Sequence, residues 1–424
     1  MKYLNLINMV SFFLLIPALA EAQEKLDLTI CREMARQNYP KMKQVELIQK
    51  ISDLKEKNNK TAYLPQMDVK GQATYQSDVT SIPIDLSRFN MEIPSVPKDQ
   101  YKVYLDLKQT IWDGGMTRSR NQLEAASLES DLQKIEADVY QINGMVDTYY
   151  FNWLIVLQNE QVLSAQMEVL GKQVERLENA EKAGAAREKD IEKLKAETLL
   201  LKQKQIDLAS KRVSIAEILS ILTGKEIKPD AVPQIPADGL GKANELKRPE
   251  YQLFDLQQKQ LLASDRLLNS TRMPSVYAFG QAGYGRPALN MLSTEFDTYY
   301  MVGVGVSWRI FDWQNVSRNK KMNSLQREVI GTVQSDFEQK QKIQLADASS
   351  QLSDLKQLIA SDEEILALRK KISATASSEL ENGVITSTDY LSDLNSETVA
   401  LINYATHKIQ LVQATVNYNN ILGK

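Results

Sequence analysis

The chain is one pattern written twice. Pro40 and Pro65 lie 25 residues apart, as do Pro249 and Pro274, and the two pairs are offset by 209 residues. In the same register Gly71-Gln72-Ala73 with Tyr75 returns as Gly280-Gln281-Ala282 with Tyr284. After a loop that is shorter in the second copy, the offset becomes 199. Ile111-Trp112-Asp113 then answers to Ile310-Phe311-Asp312, Gly184 with Asp190 to Gly383 with Asp389, and Gly224-Lys225 to Gly423-Lys424. One change of offset, confined to one loop, marks a duplicated unit. Each unit reads helix, strand, strand, very long helix, helix.

The helices follow from what is missing. No proline falls between Pro97 and Pro229 or after Pro287, so two tracts of more than 130 residues escape the strongest helix breaker. In the first tract apolar residues recur at 4-3 spacing: Leu128, Leu132, Ile135, Val139, Ile142, Val146, Tyr149, Trp153, Val156. After Glu160 they resume as Leu163, Met167, Leu170, Val174 and Leu177. A 3.5-residue period this long predicts a coiled-coil seam. The seam stops at Ala183-Gly184-Ala185-Ala186 and restarts at Ile191 and Leu194, so each unit holds a helical hairpin. The expected arms are Met116 to Ala180 (roughly 95–100 Å) and Arg187 to Thr223 (roughly 55 Å). The unit's first helix, Leu28 to Ala62, adds roughly 50 Å. The second unit repeats this from Val316 to Glu381 and from Thr386 to Leu422, with a more polar seam.

The strands alternate with period two. Val103, Leu105, Leu107 and Ile111 share one parity and Lys102, Asp106 and Lys108 the other; Val302, Val304, Val306, Trp308 and Ile310 oppose Gly303, Gly305, Ser307 and Arg309. A soluble half-buried sheet alternates too. Strands of about 10 residues are long enough to cross a membrane when tilted, and Tyr75, Tyr101, Trp112, Tyr284, Tyr299, Tyr300 and Trp308 crowd toward their ends, where interfacial aromatics sit. Four strands cannot close a barrel, and hydrocarbon does not tolerate open edges. Three chains would supply twelve strands. The parity places Lys102, Asp106, Lys108 and Arg309 toward the lumen.

Lys2, the apolar run Leu4 to Ile16 and Ala20-Glu21-Ala22 predict a cleaved export signal, with Ala18-Leu19-Ala20 as the alternative cut. The expected organisation is a signal peptide over 1–22 and a first repeat over 23–226, with strands near 62–76 and 99–112. A Pro/Gly-rich linker over 227–247 and a second repeat over 248–424 follow, with strands near 273–285 and 298–311. With 51 basic and 54 acidic residues, no nucleic-acid partner is expected. His407 is the only histidine and Cys31 the only cysteine, so one chain offers no His/Cys metal set, no disulfide and no Ser-His-Asp triad with a nucleophile elbow. No enzyme and no cofactor are expected.

The signal peptide followed by two such units resembles the TolC-like outer-membrane efflux protein family over the whole mature chain. Leu380-Glu381-Asn382-Gly383-Val384-Ile385-Thr386-Ser387-Thr388-Asp389-Tyr390-Leu391 is similar to the family's G-x-x-[ST]-x-x-D-[VY]-L signature at the hairpin tip, and Tyr63-Leu64-Pro65 to its strand entry. The resemblance implies a mixed, mostly α fold: a homotrimer with a 12-stranded transmembrane β-barrel in outer-membrane lipid above a long periplasmic α-barrel. It also implies a periplasmic adaptor and an inner-membrane pump as partners, in efflux or type I secretion. The tips Gly184, Ala185, Gly383, Val384 and Ile385 would meet the adaptor, and Asp389, Asp190 and Asp393 would ring the periplasmic gate. The competing reading of Asp190 and Asp389 is helix N-capping after a Gly turn. The family's basic residue two positions after Gly383 is Ile385 here, so its inter-helix lock is not carried over. The alternative class is a soluble periplasmic coiled-coil scaffold or adaptor.

Overall fold

A computed structural model describes residues 25–80, 97–237, 239 and 247–424. The expected signal peptide and its cleavage sites lie outside these residues, as do the middle of the first strand–strand loop and part of the linker. The chain divides into two compact units.

One unit comprises Pro40–Gln141, Ala243–Ala346 and Ile421–Lys424. Its sheet is built of β2 (Gln66–Tyr75), β3 (Asp99–Trp112), β5 (Ser275–Arg286) and β6 (Asp297–Ser307), antiparallel in the order β2-β3-β5-β6. The register carries rows straight across all four strands. Val69, Leu105, Ala282 and Tyr300 form one row, and Asp68, Asp106, Gln281 and Met301 the next. Because paired residues point to the same face, alternate rows separate an apolar face from a mixed polar one. Two expectations shift at the strand ends. β3 bulges between Thr110 and Trp112, so Trp112, not Ile111, continues the ladder opposite Val276. β6 stops at Ser307, which leaves Trp308, Arg309 and Ile310 outside the paired strand.

The same unit holds helices α2 (Met42–Lys60), α3 (Met116–Tyr140), α6 (Pro249–Ser270) and the first part of α7 (Asn315–Glu381). α2 packs on α3 and α3 on α6. α6 is tied to α7 by Tyr251 donating to Gln341 Oε1 at 2.6 Å and by Phe254 against Phe337, centroids 5.8 Å apart.

The other unit comprises Met1–Tyr39, Ile142–Lys242 and Asp347–Asn420. It holds α1 (Leu28–Asn38), α4 (Ile142–Lys182), α5 (Glu188–Thr223), the rest of α7, and α8 (Ser387–Leu422). β1 (Lys25–Leu26) pairs in parallel with β4 (Val232–Pro233), a pairing the periodicity did not show. The Tyr150 hydroxyl fixes it, 2.6 Å from Leu26 O and 2.8 Å from Gln234 O. Cys31 lies fully buried in this core, and burial pushes its thiol up to about 12. Arg32 clamps Asp147 with two bonds of 2.7 Å, and Asn420 joins them.

Two expected helices are interrupted. The first stops at Asn38, because Pro40 has no N–H and holds the preceding Tyr39 extended, at ψ 124°. The long first arm breaks at Gln141, where the backbone stays right-handed but the hydrogen-bond ladder lapses. Elsewhere the offset of 199 survives in three dimensions: α3 begins at Met116 and α7 at Asn315, and α5 ends at Thr223 and α8 at Leu422.

Candidate functional site

Two places carry the candidate residues, one in each unit. On the sheet, the polar face holds Lys102, Asp106 and Lys108 together on β3. Asp106 accepts from Lys70 in an ion pair and from Gln281 Nε2 at 3.0 Å. Lys108 Nζ sits 4.5 Å over the Tyr277 ring. Glycines make room for the aromatics here: a Cβ at Gly303 would stand 2.6 Å from Phe279, and one at Gly305 2.5 Å from Tyr277. Arg309 does not join this group, because it lies past the last ladder pair.

The opposite face carries Met67, Val69, Ala73 and Tyr75 on β2, Tyr101, Val103, Leu105 and Leu107 on β3, Val276, Ala278, Ala282 and Tyr284 on β5, and Tyr300, Val302, Val304 and Val306 on β6. Its charges among the described strand residues are Asp99 and Arg286, ion-paired at the strand ends. Val69 and Val302 are each 77% exposed. An apolar sheet face of this size, uncharged between its ends, would be an aggregation hazard in water.

In the other unit, both helical hairpins turn on the same device. Gly184 and Gly383 take φ of +72°. Ala185 N–H reaches back to Ala180 O at 2.8 Å, and Val384 N–H to Glu379 O at 2.8 Å, closing Schellman turns. A Cβ at either glycine would meet open space, so the left-handed φ alone selects glycine. Ala186 and Ile385, one repeat apart, both tuck against the core formed by Leu170, Leu194, Leu201, Tyr390 and neighbours. Ile385 therefore serves the tip as a packing residue. Val384 is exposed.

Asp389 closes a capping box. Its Oδ2 accepts from Thr386 Oγ1 at 2.7 Å and from Thr386 N at 3.1 Å, while its own N–H donates to Thr386 Oγ1 at 3.3 Å. The bonds from Thr386, with Lys193 nearby, hold its carboxyl below the usual aspartate range. Asp190, the counterpart, has no such box: Arg187 stands at its N-cap and makes no side-chain cap bond. Asp393 lies one turn further along α8, half-buried. The hairpins are tied to each other by Lys193 Nζ donating to Thr388 Oγ1 at 2.6 Å and by the Arg176–Glu381 ion pair.

Two features escaped the sequence reading. His407 Nδ1 meets Asp362 Oδ2 at 2.6 Å across α8 and α7, which no local pattern announces. The second was readable: Asn159, Gln166 and Gln173 recur every seven residues along α4, a polar row beside the apolar seam. Gln166 Nε2 donates to Asn395 Oδ1 on α8 at 3.1 Å.

The sequence model of the outer membrane efflux protein family matches residues 31–225. No curated protein sequence matches the chain. Among solved structures, the fold is similar to the outer membrane protein VceC from Vibrio cholerae, with a TM-score of 0.65 at 14% identity over 93% of this chain and 96% of that one. It is similar to the CmeC outer membrane channel of Campylobacter jejuni, at 0.64 and 15% over 93% and 85%. It is also similar to the open state of the MtrE outer membrane channel of Neisseria gonorrhoeae, at 0.61 and 16% over 93% and 88%. The resemblance to TolC-like proteins is borne out.

Proposed function

We propose that this TolC-like chain is the outer-membrane exit duct of a tripartite efflux or type I secretion system. Three copies close a 12-stranded barrel in outer-membrane lipid and continue into a periplasmic α-barrel. An adaptor and an inner-membrane pump supply substrate and energy, and the duct conducts passively from periplasm to exterior. The observation that carries this reading is the sheet: one face is apolar and uncharged between its ends, and both outer edges, β2 and β6, are unpaired among the described residues. Hydrocarbon accepts such a face only if the edges find partners.

The helices of the same unit support the same closure. α3 packs on α6 inside the chain. The repeat counterparts of that pair, α7 and α2, carry exposed apolar stripes: Met322, Leu325, Val329 and Val333 on α7, and Leu47, Ile51 and Leu54 on α2. A head-to-tail ring would seat α7 of one copy on α2 of the next. In this reading Lys102, Asp106 and Lys108 line the lumen, and the tips at Gly184, Ala185, Gly383, Val384 and Ile385 meet the adaptor. Asp389, with Asp190 and Asp393, sits at the periplasmic gate, where three copies of Asp389 would favour cations.

The test is fractionation followed by conductance. The protein should pellet with outer membranes, need detergent for extraction, and form channels in planar bilayers. Asp389→Asn should reduce cation selectivity and block by multivalent cations while the assembly stays intact. Unchanged selectivity with lower thermal stability would reduce Asp389 to its cap.

A further inference from the structure

The strand-to-helix corner of the second repeat presents an aromatic that the first repeat lacks. Trp308, Ile310, Phe311 and Trp313 are 59% to 81% exposed and stand where the sheet hands over to α7. Trp308 and Ile310 continue the parity of Val304 and Val306 on the apolar face. Phe311 is the counterpart of Trp112, which the bulge in β3 turns onto that face opposite Val276. Trp313 lies edge-on to Phe311 at 4.8 Å, and Trp308 is held by its Nε1 donating to Arg272 O at 3.0 Å. The cluster therefore extends the apolar band at the end from which the helices leave. Trp313 keeps its place against strain. Its φ is +51° and that of Gln314 +61°, where the first repeat has Gly114 and Gly115. A bulky residue in the left-handed region is an outlier, and such strain persists where a function uses it.

We propose that this corner is a lipid anchor: Trp308, Phe311 and Trp313 lie in the headgroup layer of the periplasmic leaflet, and Arg318 and Lys321 draw anionic phospholipid to it. This rests on the membrane barrel proposed above. Tryptophan prefers that layer because its ring is apolar while its N–H still finds a polar partner. Basic residues follow at once. Between Trp313 and Met322 the chain has Arg318, Lys320 and Lys321 and no acid. Lys320 donates to Asn269 Oδ1 at 3.2 Å, whereas Arg318 and Lys321 are exposed. Asp312, the nearest acid before them, is paired with Arg272 and caps the corner. Interfacial aromatics followed by exposed bases match an anionic lipid surface. The other candidate occupant is a second copy, and the repeat argues against it. Inside the chain the equivalent corner meets the next strand entry so closely that a Cβ at Gly114 would stand 2.5 Å from Met273 Cβ. A neighbouring copy seated in the same way would leave no room for an indole at position 313. Trp313 therefore turns to the surroundings of the barrel and not into the joint.

Tryptophan emission reads this corner directly in the full chain. Trp112→Phe/Trp308→Phe protein keeps Trp313 and Trp153, and Trp153 is fully buried in the hairpin unit. In vesicles, lipid brominated beside the headgroup should quench Trp313 more than lipid brominated at the chain end. The local preference for brominated phosphatidylglycerol over brominated phosphatidylcholine should be about fivefold. Arg318→Gln/Lys321→Gln should abolish that preference with the trimer intact. Trp313→Gly, which gives this corner the residue of the first repeat, should raise the thermal midpoint in detergent and lower the yield of trimer folded into vesicles. A purely structural role would move both in one direction. Emission shielded from brominated lipid and from aqueous iodide alike would place Trp313 between copies, and quenching by iodide alone would place it in water. Either result, or equal quenching by the two lipids with both bases present, would overturn the anchor and leave the duct reading standing. An unmodified chain that does not enter vesicles would overturn both.

Discussion

The two halves of the chain turn at matching positions and differ in what they present there. At the strand-to-helix corner, Gly114 and Gly115 adopt φ of +70° and +82°, and their counterparts Trp313 and Gln314 adopt +51° and +61°. Glycine enters the left-handed region freely; other residues do so at about 1–2 kcal/mol each. What holds the second corner is the aspartate common to both. Asp113 accepts from Gly115 N at 2.9 Å and Thr117 N at 2.6 Å, and Asp312 from Gln314 N at 3.0 Å and Val316 N at 3.1 Å. The corner is thus a capped turn that glycine eases in one repeat and strain accompanies in the other. The second repeat gains an exposed aromatic, Trp313, edge-on to Phe311 at 4.8 Å.

The largest effect is expected at the sheet. Val304→Arg, on the apolar face, should impair assembly, since a lipid-facing charge near the midplane costs about 2–4 kcal/mol. Ser307→Arg, on the opposite face, should be tolerated. Trimer yield from outer membranes measures both, and equal tolerance would remove the barrel. At the corner, Gly114→Ala should destabilise by about 1–3 kcal/mol, because φ is left-handed and a Cβ would stand 2.5 Å from Met273 Cβ. Gln314→Gly should do the reverse, stabilising by about 1 kcal/mol. Opposite shifts in thermal midpoint confirm that strain is unequal between repeats; shifts of one sign refute it.

How much of this could be read from the residues follows the same line. Duplication, the proline-free tracts and glycine pairs placed the hairpins, and strict alternation placed the sheet faces. The capping box was legible too, as Thr386 three residues before Asp389. Features without local punctuation were not. Gln141 interrupts a long helix with no proline or glycine of its own. Trp313 and Gln314 turn left-handed without glycine, because Asp312 supplies the constraint from one and two residues away. The β1–β4 pair is only two residues long on each side. Arg309 kept the right parity but fell past the end of the ladder, which parity cannot reveal.

A smaller effect separates the two tips. The Asp389 carboxyl is depressed in the folded chain, so its contribution to stability is fully present above the unfolded aspartate value of about 3.9. It is lost as pH falls through the lower folded value. Asp389→Ala should lower the melting temperature at neutral pH and lose that difference in strong acid. Asp190→Ala, without a capping box, should do less at either pH. Equal effects would mean that the box contributes nothing.

In the proposed duct this chain completes its sheet only with other copies of itself. The most direct measurement is the mass of the protein particle extracted in mild detergent, with bound detergent subtracted. The account predicts three chains per particle and mixed helix and strand circular dichroism. A monodisperse single chain, stable in water and without affinity for lipid, would contradict it.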